Sequence, residues 1–127
     1  MPEGFRFSRE HEWAHDNGDG TVTIGVSHYA QDALGDIVFV ELPGLGDTFD
    51  AEQEFGVVES VKTVSDVYAP VAGEIVAVND ELEDAPELVN ESPYEGGWLV
   101  RIKMNDPDDL DGLMDAESYE EFLSESE

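Results

Sequence analysis

The chain has 127 residues, with 32 Asp and Glu against 5 Lys and Arg, a formal net charge of −27. Such a surface repels nucleic acid and anionic lipid, so neither is expected as a partner. The absence of cysteine excludes disulfides and cysteine-based metal sites.

A hydrophobic content of 40% suits one domain, residues 1–127, around one modest core, and no apolar run is long enough to span a bilayer. The start, Met1-Pro2-Glu3-Gly4, carries no basic or apolar leader pattern, so the expected location is the cytoplasm. Phe5, Phe7 and Trp13 frame two short strands linked by "SREHE". Asn17-Gly18-Asp19-Gly20 is a turn, and Thr21–Val26 alternates as a strand. Ser27 is placed to cap a short helix through Leu34, which Gly35 stops. Ile37–Leu42 is almost continuously apolar and is expected to be a strand buried on both faces.

The stretch from Phe55 to Pro70 reads as two alternating strands with a short reversal around Lys62. No Asn-Gly or Asp-Gly marks the turn, and the tip carries Val61, Thr63 and Val64 instead. Apolar residues at a turn suggest that another protein reads it. Glu74–Asn79 is a further strand; its Ile75, Val76 and Val78 echo Ile37, Val38 and Val40, a weak internal repeat on either side of Lys62. Leu82, Leu88 and Val89 anchor an acidic stretch. In Trp98–Met104 the alternation points Trp98, Val100, Ile102 and Met104 to the core and Arg101 and Lys103 outward. The C-terminal part, about residues 106–124, reads as two acidic helices. Asp106 caps the first, with Pro107 at its first position, and Asp115 caps the second, which buries Tyr119, Phe122 and Leu123.

The strands and aromatics argue against disorder, so the charge reads as adaptation to a salt-rich cytosol where counter-ions screen self-repulsion. Structure should then be lost at low salt, and a circular dichroism spectrum unchanged on dilution would refute this. His11 and His15 fall in a strand-like segment with no third ligand at suitable spacing, so no metal site is expected. His28 reads as a first-turn helix residue. The serines lack a nucleophile elbow, and the glycines are turn residues rather than a phosphate loop.

The segment "FGVVESVKTVSDVYAPVAGEIVAVN" resembles the lipoyl-attachment segment of the glycine cleavage system H-protein family. "REHEWA", "GTVTIGVSHYAQDALGDIVFVELPGLGD" and "NESPYEGGWLVRIK" resemble that family in order and spacing, so the likeness covers nearly the whole chain. It implies a mainly β, lipoyl/biotinyl-type barrel-sandwich hybrid of two small sheets, with a short helix in the N-terminal half and helices at the C-terminus. It implies a covalent carrier rather than an enzyme, with lipoic acid on Lys62 and Glu59, Ser60, Val61 and Asp66 as the recognition surround. With the charge, it implies a halophilic prokaryotic source. The partners implied are a pyridoxal-phosphate glycine decarboxylase, an aminomethyltransferase, a flavin-dependent dihydrolipoyl dehydrogenase, and a lipoyl ligase or transferase. In the family the loaded arm folds into a cleft that shields a cationic amine, and Glu12 and Asp66 are the candidate carboxylates here. Other readings are a lipoyl or biotinyl domain of a larger enzyme, a lipoyl-relay donor, or a regulatory carrier; V-K-T differs from the M-K-M of biotin carriers.

Overall fold

The computed structural model describes residues 5–126; the reading of Met1–Gly4 falls outside them. The chain opens with strands β1 (Phe5–Phe7), β2 (Glu12–Asp16) and β3 (Thr21–Val26), then helix α1 (His28–Leu34). Strands β4 (Ile37–Glu41), β5 (Thr48–Phe49), β6 (Glu54–Ser60), β7 (Val64–Tyr68) and β8 (Gly73–Val78) follow. Two single-turn helices, α2 (Glu81–Asp84) and α3 (Leu88–Glu91), lead to β9 (Val100–Met104). The described chain ends in a 3-10 helix (Pro107–Gly112) and α4 (Ala116–Ser126). Asp106 accepts from Asp108 N at 3.0 Å and Asp115 from Ser118 N at 2.8 Å, so each carboxylate meets a free amide at its helix start.

The strands build two antiparallel sheets, one in the order β1-β2-β3-β9-β8-β5 and the other β4-β6-β7. Period-two alternation explains how they face each other. Val22, Ile24 and Val26 of β3 and Val100, Ile102 and Met104 of β9 meet Ile37, Val40, Val58 and Val67 of the smaller sheet in one core. A second cluster, Phe7, Trp13 and Tyr119, lies under α4. The Trp13 ring lies over Gly25, where a Cβ would come within 2.7 Å of it, so that position needs the missing side chain.

Two expectations are corrected. β4 is not buried on both faces: Val38 is 50% and Phe39 52% exposed. Phe39 lies on the solvent-facing side of the three-stranded sheet, and the bulge at Val38 leaves that residue exposed as well. Trp98 does not continue the core face of β9 either. It is half-buried ahead of the strand under the Arg101 guanidinium, 4.7 Å from its ring centroid, while Leu99 is the buried residue. The internal repeat has a structural counterpart. Pairing slips at Val76 of β8 as it does at Val38 of β4, so corresponding positions in the two sheets carry the same bulge. Among the described residues, no helix is long and apolar enough to cross a membrane.

Candidate functional site: the Lys62 hairpin and the Glu12 cleft

β6 and β7 pair as a hairpin whose tip is Val61-Lys62-Thr63. Ser60 makes the turn that the sequence lacked a glycine for. Its buried Oγ accepts from Lys62 N at 3.2 Å and Thr63 N at 3.1 Å and donates to Thr63 O at 3.2 Å. This hydroxyl, with the backbone bond from Ser60 N to Thr63 O at 2.8 Å, closes the reversal with no residue in the left-handed region. Val61 N donates to Asp36 O at 3.1 Å, which ties the tip to the turn between α1 and β4.

That turn is the shelf under the lysine. Ser27 caps α1 by accepting from Ala30 N at 3.1 Å. At its other end Gly35 adopts φ 85°, a conformation that disfavours a side chain. A Cβ on Gly35 would stand 3.3 Å from Lys62 Cε and 3.6 Å from its Nζ, so the bare backbone leaves the lysine room. Asn90 of α3 staples the shelf: its Oδ1 accepts from Ile37 N at 2.8 Å, and its Nδ2 donates to Gly35 O at 2.8 Å and Gln31 Oε1 at 3.0 Å. Asn90 and Gly35 were not singled out as site residues. Gly35 was legible only as a helix stop, and no local pattern marks an asparagine whose partners lie more than fifty positions away.

Of the other expected residues, Glu59, Ser60 and Val61 gather at the hairpin tip, and Asp66 lies on exposed β7 beyond it. Glu12 sits elsewhere, at the far end of β7: Tyr68, whose amide points to Glu12 Oε2 at 3.4 Å, is six residues from Lys62, roughly 20 Å at a strand's rise. Glu12 lies opposite Val26 on the core-facing side of β2, and only 2% of it is exposed. Burial pushes its carboxyl up to about 7, against the stabilising hydrogen bonds from Ser8 Oγ at 2.6 Å and Tyr68 N. It lines a cleft of about 330 Å³ whose apolar wall includes Phe7, Pro70, Leu113 and Met114. Asp66 does not line this cleft. It stands one step along the same face of β7 from Tyr68, and its charge raises the Tyr68 phenol above its ordinary value.

Two facing sheets with a bulged internal repeat, and a lysine offered at the tip of the hairpin between the repeat's halves, define a carrier domain of the lipoyl/biotinyl type. Residues 5–126 match the family described as Glycine cleavage H-protein. The chain is 58% identical over 125 residues to the "Glycine cleavage system H protein" of Vibrio vulnificus (strain YJ016), covering 98% of this chain and 99% of the relative. It is 55% identical over 127 residues to that of Chromohalobacter salexigens, covering 100% of this chain and 97% of the relative. A crystal structure of a glycine cleavage system H protein from Mycobacterium marinum superposes with a TM-score of 0.89 at 36% identity, covering 98% of this chain and 99% of that one. The chain therefore belongs to the glycine cleavage H-protein family, the lipoyl carriers of the glycine cleavage system. It is a carrier subunit that works with the enzymes of that system and is not itself a catalyst; the family bears its lipoic acid covalently on a lysine.

Proposed function

We propose that Lys62 is the lipoyl attachment site, within a single carrier domain. The observation that carries this reading is the presentation of the two lysines. Lys62 stands exposed at a turn braced by Ser60 and Asp36, whereas Lys103 is held within β9, paired with Thr21 and Glu74 on either side. The residues present fit the group: Gly35 clears space beside the Lys62 stem, and the Glu12 cleft joins an apolar wall to a buried carboxyl. Attached there, the dithiolane would supply a redox-active sulfur pair that accepts the aminomethyl group and later gives up electrons.

The chain's own residues do the rest. Ser60 and the Asn90-stapled shelf hold the arm's anchor point. Phe7, Leu113 and Met114 would exclude water from the cleft, and the Glu12 carboxylate would pair with a cationic amine there. Poised near neutrality when the cleft is empty, Glu12 would lose its proton as the amine arrives. Glu59, Val61 and Asp66 would form the recognition surround. The partners are a pyridoxal-phosphate glycine decarboxylase, an aminomethyltransferase, a dihydrolipoyl dehydrogenase and a lipoyl ligase or transferase, in the cytoplasm of a salt-adapted prokaryote. Tethering keeps the cargo at high local concentration for each of them.

Intact mass of the protein from its native host, followed by peptide mapping, tests the attachment site. A lipoyl group on Lys62 is expected; its placement on Lys103, or a biotin, would overturn the reading. For the cleft, ammonia release from the aminomethyl-loaded protein should quicken in Glu12→Ala, and an unchanged rate would remove Glu12 from the shielding role.

A further inference from the structure

The outer face of the β4-β6-β7 sheet carries a pattern that the carrier role alone does not use. Register places Phe39, Glu59 and Val64 side by side across the three strands, and Glu41, Val57 and Asp66 in the next row on the same face. The two rows form a checkerboard, apolar–acidic–apolar above acidic–apolar–acidic. Phe39 is 52%, Val64 59% and Val61 68% exposed, and Val38 stands out at the bulge beside them. Most of the large exposed hydrophobic residues among those described therefore lie at this end of the molecule; Leu45 and Val76 lie elsewhere. Lys62 is the only Lys or Arg in the hairpin or β4, because the other four are Arg6, Arg9, Arg101 and Lys103. Once its amine becomes an amide, this sheet has no positive charge.

We infer that this checkerboard is the docking surface for the enzyme that acylates Lys62, and that the enzyme presents a mixed surface of apolar side chains alternating with lysine or arginine. The inference rests on the carrier reading above. A membrane or nucleic acid would be repelled by Glu41, Glu59 and Asp66, and a second copy of the chain would set the same acids against themselves. A basic partner gains on both counts: its cations pair with the acids, and their aliphatic stems cover the apolar squares. The place also favours the acylating enzyme. It alone works on the bare amine, so its contacts must lie within one lysine's length of the tip, where Val61 and Val64 flank Lys62 and Asp36 holds Val61. A docking role for apolar residues left half or more exposed here accounts for a strand that composition alone would have buried.

The test is acylation of the purified, unmodified chain by the host's lipoyl ligase with ATP and free lipoate. The doubly substituted Phe39→Ser/Val64→Ser chain should lose at least about tenfold in kcat/KM, mainly through KM, while Leu45→Ser stays within about twofold. Glu41→Lys/Asp66→Lys changes only exposed acids, so it keeps the test decisive if the apolar variant folds poorly. It should also raise KM, and by less as salt increases. Wild-type KM in both double variants, with circular dichroism unchanged, would overturn the inference and leave the carrier reading intact. Acylation of the wild-type chain on Lys103 in place of Lys62 would overturn both.

Discussion

The hairpin end and the aromatic end of this molecule solve opposite problems. Around Lys62 the chain is held by small polar groups, the Ser60 hydroxyl and the Asn90 amide, while apolar side chains face solvent. At β1, β2 and α4 three aromatics, Phe7, Trp13 and Tyr119, are buried. Phe7 stacks on Tyr119 with centroids 4.3 Å apart, and the Trp13 indole donates to Pro93 O at 2.9 Å. The Tyr119 hydroxyl lies 2.7 Å from both Ser27 Oγ and His11 Nδ1. Ser27 Oγ also accepts from Ala30 N, so Tyr119 links the helix cap to His11, and a neutral imidazole serves as acceptor or donor according to its tautomer. Burial lowers the His11 imidazole below its ordinary value, which favours that neutral form. One end therefore supplies stability and the other presents chemistry, so substitutions should separate the two.

The largest separation is expected from Trp13→Ala. Removing a fully buried indole should destabilise the fold by about 3–5 kcal/mol in urea unfolding, while Lys62 acylation well below the transition stays near wild type. A parallel loss of acylation would show that the two ends are coupled.

Glu12→Gln probes the boundary between the ends. The folded carboxyl titrates at about 7 against an ordinary 4.5, so its stabilising contribution is complete below about pH 4.5 and is lost as pH rises through about 7. The variant should match wild type near pH 4 and exceed it by up to about 3 kcal/mol above pH 8, as read by unfolding at each pH. An equal difference at both pH values would rule out the buried ionisation.

Tyr119→Phe keeps the stacked ring and removes the hydroxyl between Ser27 and His11. It should cost about 1–2 kcal/mol and loosen α4, measured as faster amide exchange in Ala116–Ser126. Ser60→Ala should do the reverse: about 1 kcal/mol or less of stability, but several-fold slower acylation, because the tip amides of Lys62 and Thr63 lose their acceptor. Acylation at the wild-type rate would show that the enzyme rebuilds the tip for itself.

Much of the fold was legible because its causes are local. Thr21–Val26 alternates, Ser27 and Gly35 bracket a helix, and Asp106 and Asp115 precede helix starts; each depends on neighbours a few residues away. The misread elements depend on partners far along the chain. Ile37–Leu42 reads as a doubly buried strand until it is known that its sheet has only three strands and an uncovered face. Trp98 fits an alternating strand until Arg101 folds over it.

The same division holds at the site. By itself the sequence determined that Lys62 stands in a reversal between two strands, flanked by apolar residues, because alternation and its interruption are written along the chain. It also picked out Glu12, by resemblance. Only the tertiary structure decided that Glu12 points inward opposite Val26, that Ser60 closes the turn, that Gly35 and Asn90 form the shelf, and that Phe39 and Val64 share a face with three acids. The physical reason is that burial and register belong to pairs of strands: which side of a residue meets water is fixed by what packs against it.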